Sequence, residues 1–365
     1  MGADFRMPFY AKIALIAICV YALIYIMCVG QGIILPLIYA TIISILLNPV
    51  VNFLVRKGLN KIVAISITVV LSIALVTVII YVISSQVTMF SETLPQLKIK
   101  FATITQDAVH WISEKFKINE EKINSKIQAA RSEAMNNLEV GEKLTQIGRT
   151  ILVLTLLPVY LFMILFYKPL LLEFIRKLFR AEHHATVSEV LLSTKTIIHS
   201  YLVGLFFEMV IMSILNSTAL LIIGVDYAIL LGVLGAIINV VPYIGGIIGT
   251  ILPMIIAFVT KDSAITPLIV MISYIVIQFI DNHYLVPKVV ASRVKINALV
   301  SIIVVLIGGA IWGVLGMFLS IPLTAIIKVV FDHIEQLKPW GFLLGNVVPT
   351  TTKFTVGTVK KVKAK

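Results

Sequence analysis

An all-α, polytopic membrane fold is what this sequence predicts, and three observations predict it. Of 365 residues, 59% are hydrophobic and only 13% charged, against about 25% charged in ordinary soluble proteins. The apolar residues fall into several runs long enough to cross a bilayer, which takes about 20 residues per helix. Two further runs, 226–260 and 298–327, are equally apolar but interrupted by Gly and Pro. The expected architecture is about six full spanning helices, two Gly/Pro-broken hairpins that enter the membrane and return, and one amphipathic helical insert outside it.

The first predicted span runs from Phe9 to Val29, after Arg6 and with Lys12 at its start. It resembles a signal peptide, but the run is long, no A-x-A site follows, and a second apolar run begins at once; it reads as an uncleaved first helix. Gly30-Gln31-Gly32 predicts a tight turn. A second span follows over 33–54, kinked near Asn48-Pro49, then Arg56, Lys57 and Lys61, and a third span over 62–87. These make a first unit, 1–90. The stretch 91–148 differs in kind: eight basic and eight acidic residues cancel, and apolar residues recur at helical spacing from Leu97 through Phe101 and Ile104 to Trp111, and again at Ile123, Ile127 and Ala130. Two or three amphipathic helices are expected, with Asn119 capping the second. The third unit, 149–335, opens with a span over 149–167. An interfacial amphipathic helix is expected over 168–193, carrying Arg176, Lys177 and Arg180. A fifth span covers 194–224, then come the first broken run, a span over 265–280 and the second broken run. Residues 336–365 form a basic tail.

Lys and Arg mark the cytoplasmic side. With the N-terminus inside, Arg56, Lys57, Lys61, Lys168, Arg176, Lys177 and Arg180 are all cytoplasmic and the neutral insert is outside. Lys288, Arg293 and Lys295 reach the cytoplasm only if 226–260 returns to the face it entered from. The same logic returns 298–327 and keeps the C-terminus inside. The net charge of +12 then lies in cytoplasmic loops and tail, where anionic lipid attracts it; nucleic acid is not needed to explain it. Cys19 and Cys28 lie on one helix roughly 13 Å apart along its axis, too far for a disulfide. There is no metal-ligand spacing, no phosphate-binding loop and no nucleophile–base pair, so no cofactor and no enzymatic activity are expected.

A helix broken inside lipid leaves N–H and C=O groups unpaired at several kcal/mol each, so breaks are kept against protein or a water-filled cavity. The run from Asn239 through Pro242, Tyr243, Gly245, Gly246 and Gly249 is therefore the leading candidate for a solute or ion pathway. The plainer alternative is a kinked helix packed closely through Gly245 and Gly249. Unwound carbonyls suit Na⁺, while half-helix N-termini suit anionic or hydroxyl-rich groups. Glu208 lies roughly 20 Å along its helix, near mid-bilayer, where an acid faces a cavity, finds a partner, or titrates. Asn216 falls near the same face. Gln278, Asp281 and Asn282 share one helix face at the expected cytoplasmic end of their span, as a gate or as an interfacial cap. Gly308, Gly309, Gly313, Gly316 and Pro322 build the second broken run. His183, His184 and His199 read as interfacial surface residues.

Three pieces of the chain together resemble a known family: Asn239-x-x-Pro242-Tyr243-Ile244-Gly245; Gln278 ahead of Pro287-x-Val289-Val290; and Gly308-Gly309-x-x-x-Gly313-x-x-Gly316 followed by Pro322. They look like the autoinducer-2 exporter family of bacterial inner-membrane permeases, and the polar insert after the third span is similar too. The resemblance implies a multi-pass transporter with both termini cytoplasmic. Some members are described as exporters of a quorum-sensing molecule and others as sodium/proton antiporters. Many relatives carry Arg and Gln near Tyr201-Leu-x-Gly204; here those places are Val203 and Leu205, with Glu208 just beyond. The leading expectation is a secondary exporter of a small polar metabolite, proton-coupled through Glu208. A Na⁺/H⁺ antiporter and a passive oligomeric channel are the alternatives. Small-residue faces and the amphipathic insert predict a homo-oligomer embedded in lipid.

Overall fold

The computed structural model of the chain describes residues 8–117, 119–121, 124–126, 128, 140–241, 244–261, 263, 265–290 and 296–346. Among these, seven helices are long and apolar enough to cross a membrane. The protein is an all-α, multi-pass membrane protein.

Helix α1 (Phe9–Val29) buries no residue. A long-range hydrogen bond from Trp312 Nε1 to Met27 O, at 2.9 Å, ties it to the rest. Gly30 alone breaks the chain before α2 (Gln31–Arg56), so the expected three-residue turn shrinks to one and Gly32 is helical. Asn48-Pro49 does not end α2. Asn60 then caps α3 by accepting from Ile62 N at 3.2 Å.

Helix α3 (Lys61–Phe116) is 56 residues long. The third span and the first helix of the insert are thus one rod, a correction to the boundary expected near residue 90. The helix runs unbroken through Ser91 and Pro95, so the change to polar composition there marks no boundary in the backbone. The rod ends at Lys117, whose φ of 51° is left-handed. Asn119 caps the next helical turn, accepting from Glu121 N at 2.9 Å. The expected apolar positions Ile123, Ile127 and Ala130 lie outside the described residues.

Helix α4 (Val140–Leu178) absorbs Lys168, Arg176 and Lys177, and α5 (His184–Ile223) begins after one short turn at Ala181–His183. The separate interfacial helix expected over 168–193 does not exist; its two halves continue the spans on either side. Gly224, φ 79°, ends α5 with Val225 N bonded back to Leu220 O at 2.9 Å, a left-handed cap that glycine adopts without strain.

The first broken run is a hairpin of α6 (Ala228–Asn239) and α7 (Ile244–Thr260). Gly235 and Gly249 lie face to face, and Gly245 packs on the Ile238 carbonyl, so the arms run antiparallel. At 1.5 Å per residue α6 spans about 18 Å, short of a hydrocarbon core of about 30 Å. The two ends meet: Lys261 Nζ is 3.1 Å from Asp226 Oδ1. The run thus ends beside the point where it began.

Helix α8 (Ile265–Ile280) continues without interruption as a π-helical segment, Asp281–Val290. Helix α9 (Ala298–His333) is folded back on itself at Trp312 (φ −132°, ψ 15°) and Gly313 (φ 62°, ψ −146°). A β-carbon on Gly308 would overlap Ser320 Oγ and lie 2.5 Å from Gly316 O, a proximity a straight helix cannot give. This is the second hairpin. Pro322 is fully buried within its return arm. A short helix, α10 (Lys338–Leu344), closes the described chain.

In lipid, packing rather than water exclusion holds helices together. One packed cluster joins α2, α3 and α4 through Ala40, Val51, Ala64, Ile65, Val69, Leu161 and Leu165. Another joins α5 to α6, α7 and α8 through Leu220, Ala228, Leu231, Ile256, Ala257, Val270 and Tyr274. Helix α9 bridges them, with Trp312 and Leu319 against Leu35, Ile42 and Ile198.

Candidate functional site

The buried stripe of α5 repeats at three and four residues: Tyr201, Leu205, Glu208, Met212, Asn216 and Leu220. That period puts Glu208 and Asn216 on the face that meets α6, α8 and the π-helical segment. Glu208 is 6% exposed and Asn216 2% exposed. From the other side α8 presents Tyr274, Gln278 and, one turn on, Asp281, which is 1% exposed.

Asp281 is held by two amides. Asn239 Nδ2 donates to its Oδ2 at 2.9 Å and Gln278 Nε2 donates to the same oxygen at 3.2 Å. Asn239 is the last residue of α6, so the break in the first hairpin delivers an amide to an acid from another helix. The expectation that Gln278, Asp281 and Asn282 sit at a cytoplasmic helix end is corrected. The helix runs on through them to Val290, and Asp281 is interior. A π-helical stretch widens the helix and commonly marks a functional position; here it begins at Asp281.

A cleft of about 940 Å³ opens between these elements. Glu208, Asn239, Gly246, Gln278, Asp281 and Asn282 all line it. Its walls are largely apolar, including Ile251, Met254, Met271 and Ile321, with a few polar groups among them. Apolar walls with a few convergent polar groups are the ordinary make-up of a small-molecule site. Among the described residues the Glu208 carboxylate has no hydrogen-bond partner, and it opens on this cleft.

Beside the cleft lies a water-sized void of about 10 Å³, lined by Asn216, Asn239, Gly245, Gly246, Gly249, Tyr274 and Gln278 among others. Among the described residues, three buried oxygens of this neighbourhood, Asn216 Oδ1, Tyr274 OH and Asp281 Oδ1, have no hydrogen-bond partner. Buried polar groups are nearly always paired, so a concentration of unpaired oxygens is a property of the site. Gly246 lets the Gln278 amide approach: a β-carbon there would lie 2.8 Å from Oε1.

Of the residues singled out from sequence, Glu208, Asn216, Asn239, Gly245, Gly246, Gly249, Gln278, Asp281 and Asn282 converge on this one region. Pro242 and Tyr243 lie outside the described residues. The backbone on the near side of the break is repaired by short-range bonds, Val240 N to Ile237 O, Val241 N to Ile238 O and Gly245 N to Val241 O. The Val241 carbonyl is therefore engaged, and the carbonyls of Pro242 and Tyr243, expected as free ligands of an unwound segment, lie outside the described residues. Gly308, Gly309, Gly313, Gly316 and Pro322 do not line the cleft. They fold the second hairpin, which contributes Ser301 and Ile321 instead. Tyr201, Thr250, Ser301 and Tyr274 were not foreseen. Tyr274 was findable, because it precedes Gln278 by four residues and Asp281 by seven on the same helical face. No cluster of metal-ligating side chains occurs among the described residues.

The sequence matches the model of the AI-2E family of transporters over residues 13–336. It is 26% identical over 317 residues to YueF of Bacillus subtilis, covering 83% of this chain and 84% of that one. It is 25% identical over 323 residues to YrrI of the same organism, covering 84% and 88%. It is 26% identical over 317 residues to the AI-2 transport protein TqsA of Escherichia coli, covering 86% and 90%. A match across the membrane-spanning helices and both hairpins places this chain in the AI-2E transporter family.

Proposed function

We propose that the protein is a secondary transporter that exports a small polar metabolite across a bacterial inner membrane, coupled to protons through Glu208. The observation that carries this reading is the convergence of a broken hairpin and two acids from separate helices on one cleft. Two carboxyls in one low-dielectric site are costly when both are charged. A proton or a cation relieves that cost and binds preferentially to whichever conformation brings them together, which is what coupling requires. The exported solute occupies the larger cleft, and a quorum-signal-like molecule fits the class that TqsA's name indicates for that protein. The family supports a permease rather than an enzyme. By the charge rule both termini are cytoplasmic, and the chain works as a homo-oligomer in the membrane.

A second reading, Na⁺/H⁺ antiport, is favoured by one observation: the unpaired oxygens of Asn216, Tyr274 and Asp281 beside a water-sized void. Hard oxygen ligands without other partners suit a small cation.

Glu208→Gln in proteoliposomes decides. Loss of proton-driven solute flux with binding retained supports the coupled exporter. Loss of Na⁺-driven pH change, with no solute flux in the unaltered protein, selects the antiporter. Gradient-independent flux that survives the substitution contradicts both and leaves a channel.

A further inference from the structure

We propose that Lys61, Lys168 and Lys195 form a binding site for a phosphate-bearing anion where α2, α3, α4 and α5 meet at the edge of the apolar belt. Lys61 opens α3 and its Nζ donates to Phe166 O on α4 at 2.9 Å, lying 5.4 Å from the Phe166 ring centroid. Lys168, two residues further along α4, donates to Asn48 Oδ1 on α2 at 2.8 Å. Lys195 lies on α5 three residues before Ile198, which packs against Ile42 of α2, and its charge adds to that of Lys61 around Lys168. Three helices thus each bring one cation to this end of the packed group.

What holds them there is neutral. Both fixed lysines are oriented by an uncharged oxygen, a backbone carbonyl and an amide, and the described residues supply no carboxylate to any of the three. Glu173, the next acid along α4, is taken by Arg176 at 3.0 Å. Lys168 is half-buried and Lys61 and Lys195 are exposed; like charges held near one another oppose, and an anion among them relieves that opposition. Lys61 and Lys168 each spend one of three ammonium donors on the protein, so donors remain. The height fits a lipid headgroup: Lys61 begins the apolar span of α3, so its contact at Phe166 marks the membrane edge on α4. Basic pockets between helices at that level hold anionic headgroups. A soluble phosphate offers the same oxygens.

The test uses the full chain in a neutral detergent, with thermal unfolding read against added ligand. Short-chain phosphatidylglycerol, short-chain phosphatidylcholine and inorganic phosphate are titrated separately. A saturable rise in Tm with phosphatidylglycerol but not phosphatidylcholine is expected, its half-point raised about fivefold by Lys195→Gln. Lys195 is exposed and makes no hydrogen bond among the described residues, so that variant folds even where Lys168→Gln does not. The same lysine-dependent rise with inorganic phosphate supports the site and names a soluble ligand. Equal shifts with both lipids, or a half-point unmoved in Lys195→Gln, overturn it.

Discussion

Gly245 shows how tightly single residues determine this site. A β-carbon there would overlap the Ile238 carbonyl oxygen and lie 2.5 Å from Asn239 Cα, both backbone atoms that have nowhere to move. Asn239 is the residue that reaches Asp281, so the same substitution shifts the amide off the acid. Gly245→Ala is expected to destabilise by about 1–3 kcal/mol, visible as a lowered Tm, and to reduce flux. Gly32, inside α2 with nothing within 4 Å of an added β-carbon, is the control. There Ala is expected to be neutral or stabilising by about 0.5–1 kcal/mol. Equal losses at both positions would contradict the close-approach reading. Glu208, Asn216 and Asn239 were legible in sequence because a polar residue inside an apolar run is conspicuous. Their partners were less so. Asp281 read as the end of a helix because Asp-Asn-His-Tyr resembles an interfacial loop. Only the π-helical continuation, a property of backbone hydrogen bonding with no compositional signature, carries it inward.

At the scale of elements, the two hairpins were legible and their turns were not. Glycine and proline in an uncharged apolar run foretold a return, and the Lys/Arg count is the basis for the direction assigned to it. The sequence offered no means of choosing Trp312-Gly313 as the fold-back over the Gly308-Gly309 pair. Gly308 is used for close approach and Gly313 for a positive φ, and composition does not distinguish the two uses. The long rod of α3 was missed for the converse reason: a change from apolar to polar composition looks like a boundary, yet the helix simply leaves the membrane. Its far end carries a pH-dependent clasp. The exposed His110 Nδ1 is 2.8 Å from Glu120 Oε1. That hydrogen bond, then the charges of Glu114 and Glu120, raise the imidazole above its ordinary value of 6.5. A raised histidine contributes fully below 6.5 and loses its contribution as pH climbs through the elevated value. Amide exchange at Glu121 is therefore expected to quicken across that rise more than base catalysis alone accounts for. His110→Gln should abolish the excess; an unchanged profile would show that the clasp is not formed.

The whole molecule joins a packed group of α2, α3 and α4 to a second group, α5 through α8, that carries the cleft. The second hairpin lies between them: Trp312 and Leu319 face the first group, and Ser301 and Ile321 face the cleft. The cleft is thus lined by elements of both hairpins, so on the proposed reading a solute there would contact each. The central claim is that the first hairpin encloses a space reached by water, not lipid. Reaction with a membrane-impermeant thiol reagent tests it most directly, using Thr250→Cys in a background lacking Cys19 and Cys28. Thr250 lines the cleft, whereas Ile214, 61% exposed on the outer face of α5, should face hydrocarbon. The carrier reading predicts rapid labelling at position 250 and none at Ile214→Cys. If position 250 reacts no faster than position 214, the hairpin is a lipid-embedded structural element and the cleft is not a pathway.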